Sequence, residues 1–192
     1  MSSKLVILSY AHFPSKPGAG FRGVHEHEVS ISWTDTLANQ LELRGINVAI
    51  TPVGGLRNKV AFINERDAEL CIEIHFNGSS NPTVSGVETL YCPKSVKGKS
   101  LAAGLHDLYA PEMHCKDRGI KEGWYRMDRP YIEDYPGDID GDEKEDYFLK
   151  YTNCPAVILE PEFMAQIDNI LKYEKEACIA LAEGVHSYLE VL

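Results

Sequence analysis

Short apolar runs of four to six residues alternate with segments whose apolar residues recur every three or four positions, and this alternation repeats along the chain. Leu5–Leu8, Ile46–Thr51, Leu70–His75, Gly86–Tyr91, Gly119–Tyr125 and Ala156–Leu159 read as strands, rich in β-branched and aliphatic residues. Between them, Glu26–Arg44, Arg57–Ala68, about Ser100–Tyr109 and about Gln166–Tyr188 read as helices. Strand and helix in turn specify an α/β layered fold with a largely parallel central sheet. Pro14–Gly23 is a loop, and Leu5–Leu8 is the strand that leads to His12. The closing helix places Ile170, Leu171, Cys178, Leu181 and Val185 on its buried side. No internal repeat or linker interrupts the 192 residues, so a single domain, 1–192, is expected. One segment stands apart: Asp128–Asp146 is dominated by Asp and Glu against one Arg and one Lys, and reads as an acidic surface insertion.

The charge balance excludes some partners. With 19 basic and 29 acidic residues the formal charge is −10, and no basic stripe offers a footprint for nucleic acid. Anionic membrane repels such a chain, and no stretch approaches the length of a membrane span, so no membrane insertion is expected. The first residues are too short an apolar core for a signal peptide, which implies synthesis in the cytoplasm. Five scattered cysteines contain no CxxC pair, so neither a zinc ribbon nor a thioredoxin site is indicated; Cys71 and Cys154 read as small buried thiols. A monomer is the favoured state.

Chemistry gathers where strands end and helices start. His12, His75 and Glu160 each close an apolar stretch, and Glu26 opens a helix. In an open α/β sheet these positions line one crevice. On a helical wheel with Val29 at zero, Glu26 lies at about 60°, among Trp33, Leu37 and Leu41 at about 40°, 80° and 120°. It therefore faces the sheet, where a carboxylate needs a cation or donors to offset desolvation. Glu28, at about −100°, falls on the solvated side. In Leu70–His75 the face that carries His75 also carries Glu73, which could orient a ligand imidazole. Taken alone, His75 reads first as a core histidine satisfied by a backbone carbonyl, and His12 as an inert loop residue. Glu160 shifts the balance, because a packed strand has no use for a terminal acid; a salt bridge to a nearby cation is its bland alternative. Glu162 could share the crevice. His25 and His27 read as solvent-facing, His106 and His186 as surface residues, and His114 has no assigned role. Two imidazoles and a carboxylate suit Zn2+ with an open position, and a second carboxylate can then move protons, as in a metal-dependent hydrolase.

With those residues in place the chain resembles the zinc-dependent N-acetylmuramoyl-L-alanine amidases of the type 3 cell-wall family. The likeness runs through Ser9-Tyr10-Ala11-His12, Glu26-His27-Glu28-Val29, Ala68 to Asn77 with its Ile74-His75-Phe76-Asn77, Gly86 to Tyr91, Arg118-Gly119-Ile120-Lys121, and Pro155 to Glu160. The resemblance implies a single-domain α/β fold with a twisted, mostly parallel (mixed) central sheet and helices on both faces, phosphorylase/hydrolase-like, in which His12, Glu26 and His75 hold zinc and Glu160 is the catalytic acid/base. It implies peptidoglycan as substrate, cut at the amide between the lactyl group of N-acetylmuramic acid and L-alanine. Glu160 would take the proton of the attacking water and return it to the departing nitrogen. A chain of this kind fits a phage endolysin, or a bacterial lytic enzyme, that reaches the cell wall after release. Two other functions remain open: hydrolysis of a small N-acyl amino acid or soluble muropeptide, and a non-catalytic, metal-stabilised glycan-binding module. Phe13-Pro14 after the first histidine departs from the family pattern and implies a differently shaped first-ligand loop, and Pro161-Glu162 after the last acid changes the expected groove beside that acid.

Overall fold

The computed structural model describes residues 4–123 and 146–191. In chain order the elements are β1 (Leu5–Tyr10), a small hairpin of β2 (Gly20–Phe21) and β3 (Val24–His25), α1 (Glu26–Glu42), β4 (Asn47–Ile50), α2 (Leu56–Asn64) and β5 (Leu70–Ile74). They continue with β6 (Val87–Tyr91), α3 (Val96–Tyr109), β7 (Asp117–Glu122), α4 (Tyr147–Tyr151), β8 (Ala156–Glu160) and α5 (Ile167–Glu190).

Six strands form one sheet in the order β4-β1-β5-β8-β6-β7. The pairs β1/β4, β1/β5, β5/β8 and β6/β7 are parallel, and β6/β8 is antiparallel. The sheet is therefore mixed and mostly parallel, as expected. Because β1, β5 and β8 are parallel neighbours, their C-terminal ends lie side by side on one edge. The antiparallel β6 starts at that same edge, with Glu88 opposite Glu160.

Alternation along the strands splits the core in two. Val6, Leu8, Ile72, Ile74, Val157 and Leu159 pack against α1, α3 and α5 through Trp33, Leu37, Leu105, Ile170 and Leu181. Ile7, Cys71, Ala156 and Ile158 face α2 and α4 through Val60, Ile63, Phe148 and Leu149. Helices thus cover both faces, which is why the central strands read as continuous apolar runs.

Several boundaries differ from expectation. β1 lies inside the sheet and runs on to Tyr10. The loop after it contains the β2/β3 hairpin. α2 ends at Asn64 because the chain must straighten to let the Glu69 N–H reach the Leu5 carbonyl. α3 starts earlier, at Val96, where the Ser95 hydroxyl caps it by accepting the Gly98 N–H at 3.0 Å. Leu171 is exposed: the buried stripe of α5 passes through Ile167, Ile170, Ala177 and Cys178, and Leu171 lies a step round the helix from it. The helix α4 was not foreseen; Asp146 caps it by accepting the Leu149 N–H. All but this last residue of the acidic Asp128–Asp146 stretch lies outside the described residues.

Candidate metal centre

The shared edge of β1, β5 and β8 brings His12, Glu26 and His75 to one point. His12 follows β1 by two residues and takes a left-handed backbone conformation (φ 60°). His75 follows β5 directly, and its N–H donates to the Leu159 carbonyl at 2.8 Å. Glu26 is the first residue of α1 and is buried, on the helix face that carries Val29, Trp33, Leu37 and Leu41. The wheel argument that separated it from Glu28 holds: Glu28 is exposed and accepts the His25 backbone N–H at the helix start.

One ligand atom from each of the three residues lies within 4.8 Å of the others. Glu26 is the hub. Its Oε2 accepts the Ala19 N–H at 2.9 Å and stands 3.0 Å from His12 Nε2. Its Oε1 accepts the Phe76 N–H at 3.1 Å and stands 3.0 Å from His75 Nδ1. Burial opposes charge on this carboxyl, but the hydrogen bonds from His12 and His75 outweigh it and hold Glu26 far below the ordinary carboxylate range. Burial likewise opposes a proton on His75, and the bonds to Glu26 and Glu73 reverse the balance, so its pKa is raised. The Glu26 position also draws on the positive end of α1.

Behind His75 stands Glu73, as the strand alternation implied. Its Oε2 lies 3.1 Å from His75 Nε2, and its Oε1 accepts from Ser9 Oγ at 2.9 Å and Lys59 Nζ at 3.1 Å. Lys59 is buried on α2 and also donates to the Tyr10 carbonyl. Burial opposes ionisation of Glu73, but the Lys59 ammonium and the His75 bond bring its pKa down to about 2. Sequence reasoning missed Lys59, whose burial depends on Glu73 of a distant strand.

Two other histidines are not where they were expected. His27 is buried, and its Nδ1 lies 2.9 Å from the Ala11 carbonyl. It belongs with Ser30, Thr34 and Ala38 to a second buried ridge of α1. Ser30 works at the same edge, its hydroxyl accepting the Ala11 N–H and donating to the Ile74 carbonyl. His106 is also buried, bridging Thr89 Oγ1 at 3.0 Å and Asp117 Oδ1 at 2.9 Å. The spacing Ala102, Leu105, His106, Tyr109 placed it on the inner face of α3. His25 is exposed and His186 partly so, as read.

Glu160 ends β8 next to the His75 strand, one residue past the carbonyl that His75 grips. In the register of β5 with β8, Ile74 pairs with Leu159, so His75 and Glu160 extend adjacent strands on the same face. Glu162 does not join them in the crevice. It is fully buried and accepts from Ser85 Oγ at 2.8 Å, Gly86 N at 2.7 Å and Phe163 N at 2.8 Å.

The donors fit a small divalent cation. They are two imidazoles and a carboxylate, and Gly18 packs against them so closely that a Cβ there would sit 2.4 Å from both Glu26 Oε2 and the His12 ring. An edge of this kind, with a further carboxylate beside it, has the donor types that metal-assisted hydrolysis uses.

The profile of the family described as N-acetylmuramoyl-L-alanine amidase (Amidase_3) matches residues 6–188, and the chain belongs to that family. Among curated proteins it is 22% identical over 194 residues to the N-acetylmuramoyl-L-alanine amidase LytC of Bacillus subtilis (strain 168). That match covers 95% of this chain but spans only 35% of the relative's length. Among solved structures, the N-acetylmuramoyl-L-alanine amidase from Clostridium difficile 630 superposes with a TM-score of 0.83 at 22% identity, covering 99% of this chain and 98% of that one. The catalytic domain of CwlV, an amidase from Bacillus (Paenibacillus) polymyxa var. colistinus, does so at 0.81 and 21% identity, covering 98% and 99%. At these identities the superpositions show a shared fold.

Two outcomes follow from this geometry. Gly18→Ala should weaken zinc binding more than tenfold by calorimetric titration, because φ is +79° and the added carbon overlaps two donors; unchanged affinity would show the cradle is looser than it looks. In metal-free protein, the depressed Glu73 contributes stability that is fully present above its ordinary value of 4.5 and is lost as pH falls from there toward about 2. Denaturation curves of Glu73→Gln across that range should therefore fall less steeply with acid than those of the wild type.

Proposed function

We propose that this protein is a zinc-dependent N-acetylmuramoyl-L-alanine amidase, cleaving the amide that joins the lactyl group of N-acetylmuramic acid to L-alanine in peptidoglycan. The observation that carries this reading is the convergence of His12, Glu26 and His75 on one point at the strand edge where Glu160 also ends. Family membership supports the bond and the substrate class.

His12 Nε2, a Glu26 oxygen and a His75 ring nitrogen would hold the ion. Zinc so bound supplies Lewis acidity, polarising the scissile carbonyl and making a water acidic near neutral pH. Every other part of the reaction falls to the chain's own groups. Glu73 anchors one nitrogen of the His75 ring and leaves the other for the site. Lys59 and Ser9 keep Glu73 anionic and fixed. Glu160 acts as base toward the attacking water and then as acid toward the alanine nitrogen, which leaves poorly until protonated. Gly18 keeps the approach to the donors clear.

Among the described residues no helix is long and apolar enough to cross a membrane. Action on the cell wall after release is part of the same proposal.

Digestion of purified sacculi, and separately of soluble muropeptides, with and without a chelator tests the reading, the products being identified by mass. Expected are free muramoyl lactyl carboxylates and new L-alanine amino termini, both abolished by chelation and restored by zinc. Glu160→Gln should keep the metal and the melting temperature while losing roughly 10²–10⁴-fold in rate. Turnover at the wild-type rate in that variant would remove Glu160 from the mechanism.

A further inference from the structure

The segment Arg118-Gly119-Ile120-Lys121 has no part in the chemistry above, yet it reaches the same edge of the sheet. Its link is Glu88, which lies directly opposite Glu160 across the antiparallel β6/β8 pair. Directly opposed residues of such a pair raise their side chains on one face. Glu88 Oε1 accepts from Asn77 Nδ2 at 3.2 Å, two residues beyond His75. Glu88 Oε2 accepts from Arg118 Nε at 2.7 Å and from Lys121 Nζ at 2.5 Å.

Two cations therefore stand on one carboxylate, in a chain whose net charge is −10. One cation would neutralise Glu88. Both side chains keep access to solvent, 29% for Arg118 and 40% for Lys121. Arg118 is also held in place. Its stem fills the space a Cβ at Gly86 would need, 2.6 Å from Cδ, and Gly86 has a backbone (φ +139°) that suits glycine. Its guanidinium carbon lies 5.2 Å from the centre of the Phe163 ring. The bond to Glu88 uses Nε alone, and among the described residues Arg118 makes no other side-chain hydrogen bond. The forked Nη end, the part of arginine whose geometry matches a carboxylate, has no hydrogen-bond partner among the described residues.

We propose that Arg118, with Lys121 beside it, forms a subsite for a free carboxylate on the peptide stem of the substrate, and so discriminates stems whose carboxylate is free from those in which it is amidated. The proposal rests on the amidase reading, because it is the stem attached to the departing alanine that brings an anion to this side of Glu160. Glu88 and Asn77 act as positioning residues, fixing the pair relative to the strand end that bears His75.

The test uses peptidoglycan sacculi and the soluble muropeptides derived from them, matched except that the stem carboxylate is free in one set and amidated in the other. Rates of release of new L-alanine amino termini are compared. The wild type should cut the free-carboxylate substrate about tenfold faster, the worth of one charge-assisted pair partly open to solvent. Arg118→Lys keeps a cation for Glu88 but removes the fork, and should reduce that ratio to about two- or threefold. Arg118→Gln/Lys121→Met should bring it to about one, with melting temperature checking that the fold survives; Lys121→Met alone, which leaves Arg118 on Glu88, should give an intermediate ratio. A wild-type ratio of one, or a ratio that Arg118→Lys leaves unchanged, overturns the subsite while leaving the amidase reading intact. Failure of the zinc-loaded wild type to release L-alanine termini from any of these substrates overturns the amidase reading, and the subsite with it.

Discussion

The carboxylate of Glu26 is the contact on which the rest of this edge depends. It is buried at the first position of a helix and takes four hydrogen bonds: from the Ala19 and Phe76 backbones and from the rings of His12 and His75. A charge so placed would be costly in isolation, and each of those partners offsets part of the cost. The same four bonds tie the glycine-containing loop, the end of β5 and the start of α1 into one unit. Glu26 therefore sets the spacing of the two imidazoles before any ion arrives, and a preorganised donor set is what a metal site needs.

Topology then determines what stands around that unit. Three parallel strands deliver His12, His75 and Glu160 to a common edge, and the reversal at β6 delivers Glu88 to the same edge from the opposite direction. A purely parallel sheet would have put the start of β6 at the far side. The mixed sheet is thus the reason that a second carboxylate, with its arginine and lysine, adjoins the first. Below the edge, Lys59 carries the charge balance inward: it meets Glu73, Glu73 meets His75, and His75 meets Glu26. Charges alternate along this chain of contacts, so each buried group has an opposite or hydrogen-bonding neighbour.

Much of this was legible from residue order alone. The period of α1 separated Glu26 from Glu28, the alternation of β5 put Glu73 on the His75 face, and an acid at the end of an apolar strand marked Glu160. Other features depend on pairings between distant elements. Lys59 is buried because Glu73 lies across from it, and nothing local to α2 announces that partner. His27 looked solvent-facing because it points away from Glu26 on the helical turn, and His106 because its sequence neighbours are polar, whereas α1 and α3 each bury a wide face containing polar groups bonded to the sheet. Leu171 erred the other way, an apolar residue next to a buried stripe but not in it. Gly18 could be seen as a loop glycine; its contact with two donor atoms needs coordinates.

The most direct test of the central claim is anomalous diffraction at the zinc absorption edge from crystals grown with one equivalent of zinc. The account predicts a single strong peak bonded by His12, Glu26 and His75, lost in Glu26→Ala protein that still folds. A peak held by other residues, or none in protein that hydrolyses peptidoglycan after exhaustive removal of metal, would contradict it.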